Sequence, residues 1–136
     1  PSDVEWECAC RAGTRSPFWW GEKLDDEHSI HSCLDFPRRT GPEQVELGRD
    51  SRRSNAWGLS DMAGNVWEWC ADAYDDSSSN LRVLRGGSWG SRSAAARMLS
   101  AFHGRMPAAD VGDRNGFRLV LASALNAGLG ESEHGS

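Results

Sequence analysis

No stretch of this 136-residue chain approaches the run of about 20 apolar residues that a membrane-spanning helix needs. The opening Pro1-Ser2-Asp3 also lacks the charged-then-apolar layout of a secretory leader. A soluble chain without a membrane span is therefore expected. Positive charge is in deficit, with a formal net charge of -5. That excludes a general grip on nucleic acid or anionic lipid, which depends on clustered Lys and Arg releasing counterions. The arginines do cluster, at Arg38, Arg39, Arg49, Arg52 and Arg53 and again from Arg82 to Arg118, and the first cluster reads as a solvated face. Cysteine is sparse: Cys8, Cys10, Cys33 and Cys70 show no zinc-ribbon spacing, no cysteine follows Cys70, and an even count does not establish disulfides. There is no phosphate-cradling glycine loop followed by Lys, no nucleophile elbow and no assignable catalytic carboxylate pair. Ser88, Ser91, His103 and Asp110 supply the residue types of a hydrolytic triad, but the serines lie in a Gly-rich turn.

What the chain has in excess is tryptophan, seven in a single-domain length. Indole rings supply both core volume and recognition surface. Ser2 and Glu5 form a capping box ahead of Val4, Trp6, Ala9 and Cys10, which predicts a helix from about Asp3 to Ala12, ended by Gly13. Phe18-Trp19-Trp20-Gly21 reads as an apolar anchor and a turn. From Glu22 to Ser54 the sequence is polar and interrupted by Pro37, Gly41, Pro42 and Gly48, a long surface loop with one short strand near Val45 to Leu47. His28, His31, Cys33 and Asp35 within it have no standard ligand spacing and read as solvated loop residues. Strands are predicted at Val66 to Trp69, with Glu68 facing away from Trp67 and Trp69, at Leu81 to Arg85, and at Phe117 to Leu121. Residues 1–123 form the domain, and 124–136 have the composition of a flexible tail.

Three blocks carry a resemblance to a known family. They are Glu5-Trp6-Glu7-Cys8-Ala9-Cys10-Arg11-Ala12-Gly13, then Asn55 to Cys70 with its Gly-Asn-Val-Trp-Glu-Trp core, then Arg82 to Trp89 together with Gly116-Phe117-Arg118-Leu119. In this order they resemble the formylglycine-generating-enzyme family of sulfatase-modifying-factor domains, from Val4 to Val120. The resemblance implies an α+β, C-type-lectin-like fold with a small antiparallel sheet, few helices and much ordered irregular chain. Family members carry a substantial segment before the Glu-Trp-Glu helix. Its counterpart is expected in another polypeptide, or the fold here is incomplete.

The resemblance also implies a calcium site around Gly64, Asn65, Val66 and Glu68, whose oxygen donors suit a hard cation. The alternative is that Glu68 pairs with an arginine and Asn65 caps a turn. The oxidase chemistry of the family rests on two thiols after the Gly-Gly-Ser-aromatic block, at or near Ser91 and Ala96 here, and neither residue can act as a thiolate ligand for a soft metal. That activity is expected to be absent. The expected function is ligand binding by the segment between Trp89 and Gly116, through Ser91, Arg92, Ser93, Ala95, Leu99, Phe102, His103, Met106, Val111, Asp113 and Asn115, with a protein or other surface ligand as partner.

The resemblance extends to the variable proteins of diversity-generating retroelements, whose diversified stretch lies between Arg-Gly-Gly-Ser-Trp and Gly-Phe-Arg. An ordinary family member that has lost its cysteines explains the same residues. The enzyme alternative is a divergent oxidase or sulfoxide synthase that takes its metal ligands from a further segment. Exchange of Ser91, Arg92, Phe102, His103 and Met106 is expected to leave the fold intact. Exchange of Gly86, Gly87, Phe117 and Arg118 is expected to unfold it, and Trp67, Trp69 and Trp89 are expected to be framework.

Overall fold

The computed structural model describes residues 1–25, 28–29, 54–75, 80–91 and 94–121. The predicted strand near Val45 to Leu47, the residues His31, Cys33 and Asp35, and the segment 124–136 lie outside them.

The first helix, α1 (Asp3–Arg11), begins as its sequence dictates. Ser2 Oγ accepts from the Glu5 amide at 3.2 Å and the Glu5 carboxylate accepts from the Ser2 amide at 2.8 Å. Two amides that the helix itself leaves unbonded are thereby satisfied. The exit runs through left-handed backbone at Ala12 and Gly13. Trp6 and Cys10, one turn apart, are both buried. Asp3 and Glu7, also one turn apart, both accept from the guanidinium of Arg85.

The sheet contains β1 (Trp67–Ala73), β2 (Leu81–Arg85), β3 (Gly104–Pro107) and β4 (Asn115–Gly116), in the order β3-β2-β1-β4. β1 and β2 pair antiparallel with Glu68 opposite Arg85 and Trp69 opposite Leu84, and the register shifts before Ala73. β2 and β3 are also antiparallel, whereas β4 runs parallel to β1, with Trp67 opposite Asn115. The sheet is therefore mixed, which corrects the antiparallel expectation. A second helix, α2 (Ala94–Arg97), is a single turn.

The predicted strand Phe117 to Leu121 does not form. Its residues follow β4 without ladder pairing, and Phe117, Leu119 and Leu121 are 74%, 87% and 99% exposed. Arg118 between them is drawn inward to Glu68. Phe117 therefore builds no core, and its exchange is not expected to unfold the domain.

Trp6, Cys10, Met62, Cys70 and Val83 form one core cluster between α1 and the sheet. Phe18, Ala63 and Met98 form a second. Strand β1 is covered on both sides at its start, since Trp67, Glu68 and Cys70 are all buried, so the simple two-face alternation does not hold. Arg85 is almost fully buried, yet it is compensated by Asp3, by Glu7 at 3.0 Å and by the carbonyls of Ser100 and Phe102 at 3.1 and 3.2 Å. Among the described residues no helix is long and apolar enough to cross a membrane.

Candidate functional site

Two loops meet beside the β1–β4 edge. The first turns through left-handed backbone at Asp61, Gly64 and Asn65, and the second at Gly86 and Gly87. They are clipped together by Gly64 N–H to the Gly86 carbonyl at 2.7 Å and Trp89 N–H to the Asn65 carbonyl at 2.8 Å. A Cβ on Gly87 would lie 2.9 Å from Met98 Cγ and 3.2 Å from the Arg97 carbonyl oxygen, so no side chain fits where the loop crosses α2. Past the crossing, Ser88 N–H donates to Ser91 Oγ at 3.0 Å, and the two hydroxyl oxygens are 3.3 Å apart in buried surroundings.

These elements enclose a cleft of about 540 Å³. Trp67, Ser88, Ser91, Met106 and Asn115 line its inner part, and Arg97, Asp110, Val111, Asp113 and Arg114 surround the exposed mouth. Trp67 is fixed by its N–H to the Arg114 carbonyl at 2.7 Å and by close approach of its ring to Gly104. The Arg114 guanidinium lies over the Trp89 ring at 5.2 Å and 3.7 Å from Asp113. The mouth carries two cations and two carboxylates, and its formal charge cancels.

Of the residues proposed from sequence, Ser91, Met106, Val111, Asp113 and Asn115 line the cleft. Arg92 and Ser93 lie outside the described residues. Ala95 is exposed on α2 and does not line it. Leu99 packs on the Phe18–Ala63–Met98 cluster, because that apolar surface is adjacent to the end of α2. Phe102 sets its ring 6.2 Å from that of Trp67, and its carbonyl accepts from Arg85. His103 Nδ1 is 3.4 Å from Asp3, with its ring edge against Tyr74. None of these three lines the cleft. The expectation that Ser91 is freely exchangeable is also corrected, since its buried oxygen holds the turn. Sequence reading missed Trp67, Arg97, Asp110 and Arg114. Its strand pattern assigns Trp67 to the framework, and only its pairing with Asn115 brings it to the cleft wall. Trp69 and Trp89 are partly buried.

The expected calcium set is rearranged around its one carboxylate. Glu68 Oε2 accepts from Trp6 Nε1 at 2.5 Å and Arg118 Nε at 2.6 Å, and Oε1 accepts from Arg118 Nη2 at 2.5 Å. Burial disfavours the charge on Arg118, but the bonds and charge of Glu68 outweigh it and hold the guanidinium above its usual pKa. Glu68 thus pairs with an arginine, as the alternative expects, whereas the Asn65 side chain makes no capping hydrogen bond among the described residues. Gly64 and Asn65 are buried and Val66 partly so. The side-chain amide of Asn65 has no partner among the described residues, which leaves its oxygen as the one side-chain donor of the set that would fit a hard cation.

The thiols stand elsewhere. Cys8, Cys10 and Cys70 are free. Burial pushes the Cys10 thiol up to about 11 and the Cys70 thiol up to about 12, so both stay protonated at neutral pH. Ser88 and Ser91 bond to each other, and His103 Nδ1 stands 3.4 Å from Asp3 instead, so no triad is assembled. His28 bonds to Asp25 at 2.8 Å and stacks on Trp20. Among the described residues no group of three or more His, Cys, Asp or Glu could hold a metal.

Residues 1–123 match the family model of the sulfatase-modifying factor enzyme 1-like domain. The chain is 35% identical over 94 residues to the inactive C-alpha-formylglycine-generating enzyme 2 of Bos taurus, covering 65% of this chain and 31% of that protein. It is 36% identical over 80 residues to the formylglycine-generating enzyme of Thermomonospora curvata, covering 53% of this chain and 26% of that enzyme. Among solved structures, Treponema denticola variable protein 1 superimposes with a TM-score of 0.60 at 24% identity, covering 86% of this chain and 45% of that one. That likeness shows the fold, which is α+β and C-type-lectin-like. The chain thus spans about a third or less of these curated relatives.

Proposed function

The chain belongs to the sulfatase-modifying-factor, or formylglycine-generating-enzyme, family, and on that premise we propose that it is a non-catalytic ligand-binding domain whose cleft mouth is the recognition surface. The observation that carries this reading is the pairing of a fixed floor with residues that cannot perform the family's oxidation. Ser91 and Ala96 stand where the two thiols are expected, and the buried Cys10 and Cys70 belong to the core. The inactive relative named above supports it, and the variable protein from Treponema suggests a receptor of the retroelement-diversified kind. Arg97, Asp110, Val111 and Asp113 are exposed at the mouth, where replacement leaves the buried contacts in place. The oxidase alternative draws on the relative from Thermomonospora. Incubating the purified chain with copper and a cysteine-containing peptide separates the two. No oxygen consumption and no formylglycine in the mass spectrum are expected, and copper-dependent turnover would overturn the binding reading.

Calcium at Gly64, Asn65, Val66 and Glu68 remains part of the proposal, supported by the unpartnered Asn65 amide and opposed by the commitment of Glu68 to Arg118. We also propose that the exposed apolar strip of Phe117, Leu119 and Leu121 is covered by an apolar strand from the part of a family-length domain that this sequence does not span. The strip continues the β4 edge, and Arg118 pins it. Leu119→Lys with Leu121→Lys is expected to remove binding of an apolar fluorescent dye while moving stability by no more than about 0.5 kcal/mol per site. Unchanged dye binding would end this part of the proposal.

A further inference from the structure

Arg114 is held in place at the cleft mouth, yet its hydrogen bonds are unspent. Its guanidinium lies over the Trp89 ring at 5.2 Å. Its side chain also crosses the backbone of Gly90, where a Cβ would stand 2.9 Å from Nη1, 3.0 Å from Cδ and 3.1 Å from Nε. Gly90 can line the cleft only with backbone, so the half-exposed guanidinium packed against it stands at the cleft border. Nε is 3.7 Å from Asp113, beyond hydrogen-bond reach, and that carboxylate is itself exposed. None of the guanidinium N–H groups donates to a described residue. The side chains of Arg97 and Asp110, the other charges of the mouth, also have no polar partner among the described residues, and their charges offset each other. What sets Arg114 apart is order. Stacking and the bare glycine have already fixed its planar fork of donors, so little freedom is left to lose when a ligand binds.

From this we infer that the cleft receives a carboxylate on an apolar stem, held by the unspent N–H groups of Arg114. The inference rests on the cleft being the ligand site proposed above. Two carboxylate oxygens match two parallel guanidinium N–H groups, and hydrogen bonds between ionised partners are the stronger kind. A neutral amide offers one oxygen and sets its own N–H groups against the fork, and an ammonium offers no acceptor at all. The ligand takes the place of Asp113, whose contact with Nε is longer than a hydrogen bond. Trp67, Met106 and Val111 supply apolar lining for the stem. A glutamate side chain of a protein partner carries this chemistry, as does a free small carboxylic acid.

The test is a titration of the full chain at low salt with butyrate, butyramide, butylammonium and the peptide acetyl-Ala-Glu-Ala-amide, followed by NMR at the Arg114 Nε–H and the Trp89 indole N–H. Butyrate, the peptide or both are expected to bind saturably, about fivefold tighter than butyramide, the upper end for an exposed ion pair because Arg114 is already ordered. Tighter binding of the peptide assigns the carboxylate to a protein partner, and tighter binding of butyrate assigns it to a free acid. Arg114→Gln is expected to remove the preference for carboxylate. Gly90→Ala keeps every charge and donor but sets a methyl group where the Arg114 side chain lies, and is expected to reduce the preference by about twofold or more. It also keeps the test open should Arg114→Gln fail to fold. A preference that survives in whichever of these variants folds would overturn the inference. Equal or tighter binding of butyramide or butylammonium would also overturn it and leave the cleft a ligand site of another class. Silence of both carboxylate probes would overturn it too, while the function proposed for the cleft mouth is judged separately by exchange of its residues.

Discussion

Trp6→Ala is expected to lower the unfolding free energy by about 3–5 kcal/mol, the largest effect of any single change considered. Trp6 is 1% exposed and sits at the centre of the cluster with Cys10, Met62, Cys70 and Val83. Its ring lies under the Gly86 turn, 3.2 Å from where a Cβ there would be, so truncation opens a cavity beneath the loop that shapes the cleft. It also removes the indole N–H from Glu68. Urea unfolding followed by circular dichroism measures the loss. A loss under about 1 kcal/mol would show that α1 does not anchor the fold.

Glu68→Gln is expected to cost about 3 kcal/mol, at the lower end for a broken buried ion pair because about a quarter of the Arg118 side chain is exposed. The neutral amide cannot balance the guanidinium, and in either orientation its NH₂ group would confront an N–H of Arg118. The loss should be the same with and without chelator if Arg118 is the partner. A wild-type melting temperature that falls on chelation and recovers with calcium would establish the cation. No change in stability in Glu68→Gln or on chelation would remove both partners from consideration.

What the sequence made legible was local. The Ser2 and Glu5 box and the β2 strand are dictated by residues within a few positions of one another and appear where expected, while the helix turns left-handed at Ala12, one residue before the expected Gly13, and β1 runs on past Trp69 to Ala73. Features set by distant pairing were not legible. Gly104–Pro107 has no strand-like alternation of apolar residues and forms a strand because β2 offers it an edge. Phe117 to Leu121 has that alternation and forms none, because no described strand lies beside it.

The site divides in the same way. Asn115, Asp113 and Val111 follow from their place between the family-like blocks, whereas Trp67 reaches the cleft only through the parallel β1–β4 pairing. Leu99, Phe102 and His103 look like recognition residues by type. Core packing, the Trp67 ring and the amino end of α1 draw them away, and no short-range pattern announces those contacts.

The proposed function requires that a fixed framework carry a replaceable binding surface, which a library can test. Arg97, Asp110, Val111 and Asp113 would be randomised together, and the members sorted for soluble expression and cooperative unfolding. Surface changes of this kind shift stability by about 0.5 kcal/mol or less apiece. Most members are therefore expected to remain folded, with melting temperatures near that of the parent. If most aggregate or lose cooperative unfolding, these residues belong to the structure rather than to recognition, and the proposed function fails.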